Sequence, residues 1–287
     1  MIQNSYQSEA IVYLIPTPIG NLDDITIRAM EVLKKVDVIF CEDTRVTSLL
    51  LNHFNLKKKL YSSHKFNEEK NESKFLSYLE EGKSIGIVSD RGTPIISDPG
   101  YFLAQTAIKH GYAVVGLPGP TAFVPALIMS GLEPQPFYFY GFLHNKDSKR
   151  KEEIRQLKNF PHTMIFYEAP HRIAKTLQQM YEILGDRHIC IAREISKKFE
   201  TVYRGTISEI LTYVKDMKGE IVLLVEGNKN PDTTFAIGII EHVNLYMKEG
   251  LATMDAIKKV SKERGMSKKE VYQVYHNEKG KEDDTCD

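Results

Sequence analysis

Cysteine is scarce in this chain: three in 287 residues, Cys41, Cys190 and Cys286. The count is odd and none sits in a CxxC pair or a Cys/His cluster with zinc-ligand spacing, which argues against a disulfide framework and a structural metal. Phosphate-cradle signatures are missing as well. Neither GxGxxG nor GxxxxGK followed by Ser or Thr occurs, so a dinucleotide or ATP is disfavoured. No apolar run reaches the ~20 residues of a membrane helix, and no basic segment followed by an apolar one opens the chain as a secretory signal would. The expected location is cytoplasmic, with no membrane partner. Net charge is +0, so the molecule as a whole does not attract nucleic acid, and any such contact must rest on local patches.

Hydrophobic residues make up 42% of the chain, enough at this length for a large core in two domains with a small appendage. Strand and helix patterns alternate through the first part: strand Ile11–Ile15, helix Thr26–Lys34, strand Val36–Cys41, helices Thr44–Phe54 and Lys70–Glu81, strand Ser84–Val88, helix Tyr101–His110 and strand Ala113–Gly116. That is the βαβ rhythm of a mainly parallel sheet, with Gly82 and Gly111 at helix ends. After the helix Phe123–Ser130, the β-formers Phe137–Phe142 open a second α+β region. It continues through a charged helix, strand Thr163–Tyr167, helix His171–Leu184, strands His188–Arg193 and Glu200–Tyr203, helix Ser208–Met217 and strand Glu220–Val225. Asn228–Asp232 reads as a linker. Beyond it, Thr234–Glu249, Thr253–Arg264 and Ser267–Tyr275 read as three short helices, with Gly280–Asp287 expected to be disordered. The implied domains are 1–125, 126–230 and 231–287.

Three strands run straight into proline- and glycine-rich turns: Pro16-Thr17-Pro18-Ile19-Gly20-Asn21, Ser89-Asp90-Arg91-Gly92-Thr93-Pro94 and Leu117-Pro118-Gly119-Pro120-Thr121-Ala122. Ligands of open α/β sheets bind beyond the carboxyl ends of strands, so three such turns point to one shared pocket. Prolines carry no N–H, so these turns make poor anion nests. Two basic segments stand out, Lys146–Lys158 and Lys258–Lys269; the second has six basic residues against Glu263. Taken alone, either is more readily a solvated helix face than an RNA contact.

The motifs Pro16–Leu22, Cys41-Glu42-Asp43-Thr44-Arg45, Ser89-Asp90 through Ser97-Asp98-Pro99-Gly100, Gly119–Ala122, Phe139–Phe142 and Tyr167-Glu168-Ala169-Pro170-His171-Arg172 occur together and in order. As a set they resemble the bacterial 16S ribosomal RNA (cytidine-2′-O)-methyltransferases, a family of the tetrapyrrole methylase superfamily. The resemblance implies an α/β fold of two domains with S-adenosylmethionine in the cleft between them, plus the small helical module. It also implies a homodimer and methylation of a ribose 2′-hydroxyl in 16S rRNA, within the 30S subunit. Carried over motif by motif, it places the cofactor against Pro18, Ile19, Asp90, Thr93, Thr121 and Ala122, with Glu168 and Glu220 from the second domain. Two departures stand out: Arg91 where relatives usually carry alanine, and His144 where they usually carry proline. An arginine beside a sulfonium is unfavourable, so Arg91 is expected to point outward, to RNA phosphates or a partner subunit.

Methyl transfer to a hydroxyl needs the oxygen held in line and its proton removed. Asp43 and Asp98 are the candidate bases. Arg45, Arg91, Lys149, Arg150, Arg172, Lys258, Lys259, Lys268 and Lys269 are the candidate RNA contacts. Asp43 with Arg45 as a structural ion pair, and Asp98 as a turn residue, stand as alternatives to catalysis. At the level of function, a small-molecule methylase on the same scaffold and a non-catalytic ribosome-assembly protein remain open. No metal is expected.

Overall fold

The computed structural model describes residues 2–4, 9–64, 68–229 and 238–282. They fall into two compact units, Met1–Asn228 and Lys229–Asp287.

The first unit contains two five-stranded sheets. Strands β1 (Ile11–Leu14), β2 (Val38–Cys41), β3 (Lys59–Ser62), β4 (Ile85–Val88) and β5 (Ala113–Gly116) lie in the order β3-β2-β4-β1-β5, every pair parallel. Alternate residues of one strand enter different cores: Ile11, Tyr13 and Ile39 pack on one face, Val12, Val38 and Phe40 on the other. A sheet buried on both faces needs continuous apolar strands, which is why β1, β2 and β4 contain nothing else but a glycine. Helices α1 (Ile27–Lys35), α2 (Thr44–His53), α3 (Glu68–Glu80) and α4 (Tyr101–Lys109) are the crossovers. Phe40 is fully buried and meets Phe75 of α3 edge-on at 5.4 Å; truncating either ring to alanine costs about 3–5 kcal/mol.

Element ends follow local chemistry. The Thr26 hydroxyl accepts the Ala29 N–H and so caps α1 rather than joining it, and Val36, expected to open β2, donates its N–H to Val32 and closes α1 instead. The sequence reading missed β3. It is a half-exposed edge strand behind Lys57 and Lys58, and a lysine run protects an edge while hiding its apolar alternation.

The second sheet has the order β6-β7-β10-β8-β9, built from β6 (Phe137–Phe142), β7 (Thr163–Glu168), β8 (His188–Arg193), β9 (Thr201–Thr206) and β10 (Ile221–Val225). Only β6 and β7 run parallel. Helices α6 (Asp147–Gln156), α7 (Ile173–Leu184) and α8 (Ile207–Leu211) cover one face. On the other face lies α5 (Phe123–Ser130), whose Ala126 and Leu127 pack on Ile165, Cys190 and Leu224. The chain thus leaves the first sheet through the third turn and at once covers the second.

The unit beyond Asn228 holds α9 (Ile239–Lys248), α10 (Thr253–Glu263) and α11 (Lys268–Glu282) around Val243, Ile257, Val260, Val271 and Tyr275. Gly250 and Gly265 take φ of +96° and +63° where α9 and α10 end, conformations that favour glycine. Residues 280–282, expected to be disordered, continue α11, while 283–287 and the linker positions 230–232 lie outside the described residues. Among the described residues no helix is long and apolar enough to cross a membrane, and no group of three or more His, Cys, Asp or Glu side chains can hold a metal ion.

Candidate functional site

The three proline-rich turns follow β4, β1 and β5, and these strands are neighbours in the sheet. The topology therefore lays the turns side by side at the point where the strand order reverses. Thr17 and Gly92 exchange both backbone hydrogen bonds at 2.9 Å, locking the first turn to the second. The Thr93 hydroxyl donates to the Pro120 carbonyl at 3.0 Å and meets the Thr121 hydroxyl, locking the second to the third. Gly119 has no room for a side chain: a Cβ there would lie 2.6 Å from the Cβ of Pro16.

Between these turns and the ends of β7, β8 and β10 lies a cavity of about 360 Å³, within the range of small-molecule sites. Its walls are Ile19, Ile96, Phe142, Tyr167, Ile195 and Val222, with the polar side chains Thr93, Thr121, Asp98, Glu168, Glu220 and Arg91 among them. Six of the eight expected cofactor positions line it: Ile19, Thr93, Thr121, Ala122, Glu168 and Glu220. Pro18 and Asp90 do not. They line a separate groove with Thr47, Leu49 and Leu50, where the Asp90 carboxylate accepts the Asp43 N–H at 3.0 Å and burial raises its pKa.

Of the two candidate bases, only Asp98 faces the cavity. It is presented by a loop in which Ile95 and Ser97 hold φ of +76° and +71°. Such backbone costs about 1–3 kcal/mol per residue and persists only where the surroundings enforce it. Asp43 is the N-cap of α2: its carboxylate accepts the Arg45 N–H and grips the Arg45 guanidinium at 2.6 Å. Those hydrogen bonds hold its pKa down to about 2. A carboxylate so engaged, and not among the cavity-lining residues, is a poor proton acceptor and fits the alternative of a helix cap and structural ion pair with Arg45.

Three of the expected RNA-binding arginines have partners within the chain. Arg91 is exposed and pairs with Glu220, both lining the cavity, and the Glu220 carboxylate also accepts from Lys197 at 2.8 Å. Both side chains of the pair are more than half exposed, so the pairing offsets the Arg91 charge only in part. Arg150 is buried, with Nε on Gln179 at 2.7 Å and the rest of its head on Asp147 and the carbonyls of His144 and Asn145. Arg172 donates to the Leu143 carbonyl and to Glu168, at 3.0 and 3.2 Å. Both arginines pin the segment after β6 and are not free for phosphate. The same segment explains His144: its N–H donates to Glu153 at 2.7 Å, a bond proline cannot make. Lys149, Lys258, Lys259, Lys268 and Lys269 are exposed, and so is Arg45.

Glu168 is buried, and its carboxylate accepts from Ala169 N–H, the Thr176 hydroxyl and Arg172. Beside it Tyr167, which the sequence reading quoted in a motif without giving it a role, sets its ring against Phe139 and Phe142. Burial and then the charge of Asp98 push its phenol up to about 12.

The sheets and the cavity between them define a two-lobed α/β protein with a ligand-sized cleft. The uroporphyrin-III C-methyl transferase from Thermus thermophilus, solved in complex with S-adenyl homocysteine, matches with a TM-score of 0.55 at 17% identity, over 76% of this chain and 97% of that one; at that identity the likeness is one of fold. A model of the tetrapyrrole (corrin/porphyrin) methylases matches residues 11–211. The ribosomal RNA small subunit methyltransferase I of Bacillus subtilis (strain 168) is 44% identical over 281 residues, 95% of this chain and 96% of that protein. Its namesake from Halalkalibacterium halodurans is 43% identical over 286 residues, 96% and 99% of the two chains. The chain belongs to the tetrapyrrole methylases and, within them, to the family of ribosomal RNA small subunit methyltransferase I.

Proposed function

We propose that this protein transfers a methyl group from S-adenosylmethionine to the 2′-hydroxyl of a cytidine in 16S rRNA. The acceptor is the assembled 30S subunit, the enzyme is a homodimer, and it works in the cytoplasm, where ribosomes are. The observation that carries the reading is near full-length identity of 43–44% to proteins named ribosomal RNA small subunit methyltransferase I, joined to a ligand-sized cavity at three interlocked strand-end turns.

The cavity residues suit the donor. Its walls are largely apolar, and its charged groups are three carboxylates and one arginine, which pairs with Glu220. Thr17 and Gly92 spend their backbone N–H groups on each other instead of offering them to an anion. We assign Ile19, Thr93, Thr121 and Ala122 to one side of the donor and the β8 and β10 ends, with Glu220, to the other. Pro18 and Asp90 line the neighbouring groove, where Asp90 holds the Asp43 N–H. Glu168 orders the floor through Arg172 and Thr176.

When bound, S-adenosylmethionine supplies an electrophilic methyl carbon whose bond to sulfur breaks with the electron pair retained by sulfur. The protein's own task is to hold the ribose oxygen in line, exclude water and receive a proton. Asp98 is the proton acceptor in this reading, presented by its strained loop. Exposed Lys149 and the lysines of α10 and α11, Lys258, Lys259, Lys268 and Lys269, supply the salt-sensitive grip on phosphates, with Arg45 near the cavity-side turns.

The test is tritiated methyl transfer to purified 30S subunits compared with bare 16S RNA, followed by mapping of the modified nucleotide. Label on a cytidine ribose of the 30S subunit supports the proposal. Label on a small tetrapyrrole instead of RNA, or no transfer at all, overturns it.

A further inference from the structure

We propose that Tyr167 is a second catalytic side chain, whose phenol donates a hydrogen bond to the acceptor hydroxyl while Asp98 takes that hydroxyl's proton. The inference deepens the reading above and rests on it. Tyr167 ends β7 and lines the same cavity as Asp98. Its ring is held on two sides, edge-on to Phe139 at a centroid distance of 5.1 Å and tilted against Phe142 at 5.6 Å.

Ala122, the N-cap of α5, lines the same cavity as Tyr167, and a phenol has a single proton to give. Asp98 lines the same cavity, and its charge, after burial, opposes ionisation of Tyr167. The cavity thus contains one phenol donor and one carboxylate.

A ribose hydroxyl placed between them is satisfied completely. Its hydrogen points to the Asp98 carboxylate, one lone pair accepts from Tyr167, and the remaining lone pair is left to attack. On transfer, the proton passes from the ribose oxygen to an Asp98 carboxylate oxygen and the O–H electron pair stays on the ribose oxygen. Burial keeps Tyr167 a neutral donor throughout the working pH range, since its phenol is pushed up to about 12. Ser97, next to Asp98, packs its hydroxyl against Gly141, where a Cβ would approach it to 3.2 Å. That contact sets the distance between the loop carrying Asp98 and the strand pair carrying Tyr167.

The experiment compares wild type, Tyr167→Phe and Asp98→Asn. Two quantities are read: the single-turnover rate on 30S subunits at saturating donor, and affinity for 30S subunits reconstituted with either cytidine or 2′-deoxycytidine at the mapped target. Loss of one neutral hydrogen bond predicts a rate about tenfold lower for Tyr167→Phe, and loss of the base about 10²-fold for Asp98→Asn. Wild type is expected to prefer the ribose target, and both variants to lose most of that preference, with S-adenosylhomocysteine affinity unchanged. Tyr167→Phe with the wild-type rate and preference overturns the proposal; so does a loss of S-adenosylhomocysteine affinity that matches the loss of rate. Should Tyr167→Phe unfold, the ribose preference of Asp98→Asn decides: retained, it overturns the proposal. Absence of transfer by the wild type is a different result, because it sinks the functional reading itself.

Discussion

Replacing Glu168 by glutamine isolates the buried network under the cavity. The Glu168 carboxylate is 3% exposed and accepts from Ala169 N at 2.8 Å, the Thr176 hydroxyl at 2.7 Å and Arg172 Nη2 at 3.2 Å. Glutamine keeps the volume but removes the charge, leaving the Arg172 guanidinium, whose side chain is 19% exposed, with the Leu143 carbonyl as its acceptor. Removing one partner of a buried ion pair costs about 3–5 kcal/mol, and the residual exposure of Arg172 puts this case at about 3 kcal/mol. At roughly 2–4 °C per kcal/mol for a unit of this size, Tm should fall by about 6–12 °C. Urea unfolding followed by circular dichroism gives the free energy directly. Arg172→Met made alongside should recover much of the loss in the double variant, because no unpaired charge is then left inside. Glu168→Gln within 1 kcal/mol of wild type would refute the argument that this carboxylate holds the cavity floor by charge.

Asp43→Asn should leave the methyl-transfer rate within twofold of wild type, because Asp43 caps a helix outside the cavity; a loss of about 10²-fold would return it to catalysis. The Asp43 pKa is lowered to about 2, so the stability it lends α2 is complete above the unfolded aspartate value, ~3.9, and is lost as pH falls toward 2. Acid titration of wild type against Asp43→Asn reads that difference. For Tyr167 the sign is opposite. With a folded value near 12 and an unfolded one near 10, its contribution is intact below pH ~10 and falls away as pH rises, by about 3 kcal/mol in all, a decline Tyr167→Phe should lack. Changing Lys258, Lys259, Lys268 and Lys269 together to glutamine should flatten the dependence of log affinity for RNA on log salt by about 3, with donor affinity unchanged; an unaltered slope in a filter-binding series would remove the α10–α11 lysines from the RNA contact.

Much of this architecture was legible because its causes are local. Strands β5, β6 and β8 and helix α5 lie at the expected residues, since Gly116, the aromatic run and the Ser130-Gly131 stop mark their ends in the chain itself. The shared pocket was legible too: a turn rich in proline and glycine after an apolar strand is a short-range signal, and sheet order then brought the three turns together. What stayed hidden depends on partners distant in sequence. Nothing near Arg150 announces Gln179, 29 residues away, as its acceptor, and a lysine-rich helix disguises one buried arginine among exposed charges. Arg91 finds Glu220 across 129 residues. Tyr167 is one more aromatic at the end of a strand, and only its place in the cavity that Asp98 also lines sets it apart. Strand β3 was lost because edge protection and strand signal compete for the same four residues.

The most direct measurement is a crystal structure of the protein with S-adenosylhomocysteine. The account predicts the nucleoside and thioether inside the cavity between the two sheets, against Thr93, Thr121 and Ile19, with the sulfur open toward Asp98 and Tyr167. Density for the ligand in the neighbouring groove of Asp90 and Leu49, or a cavity still closed by Arg91 and Glu220 with no ligand at saturating concentration, would contradict it.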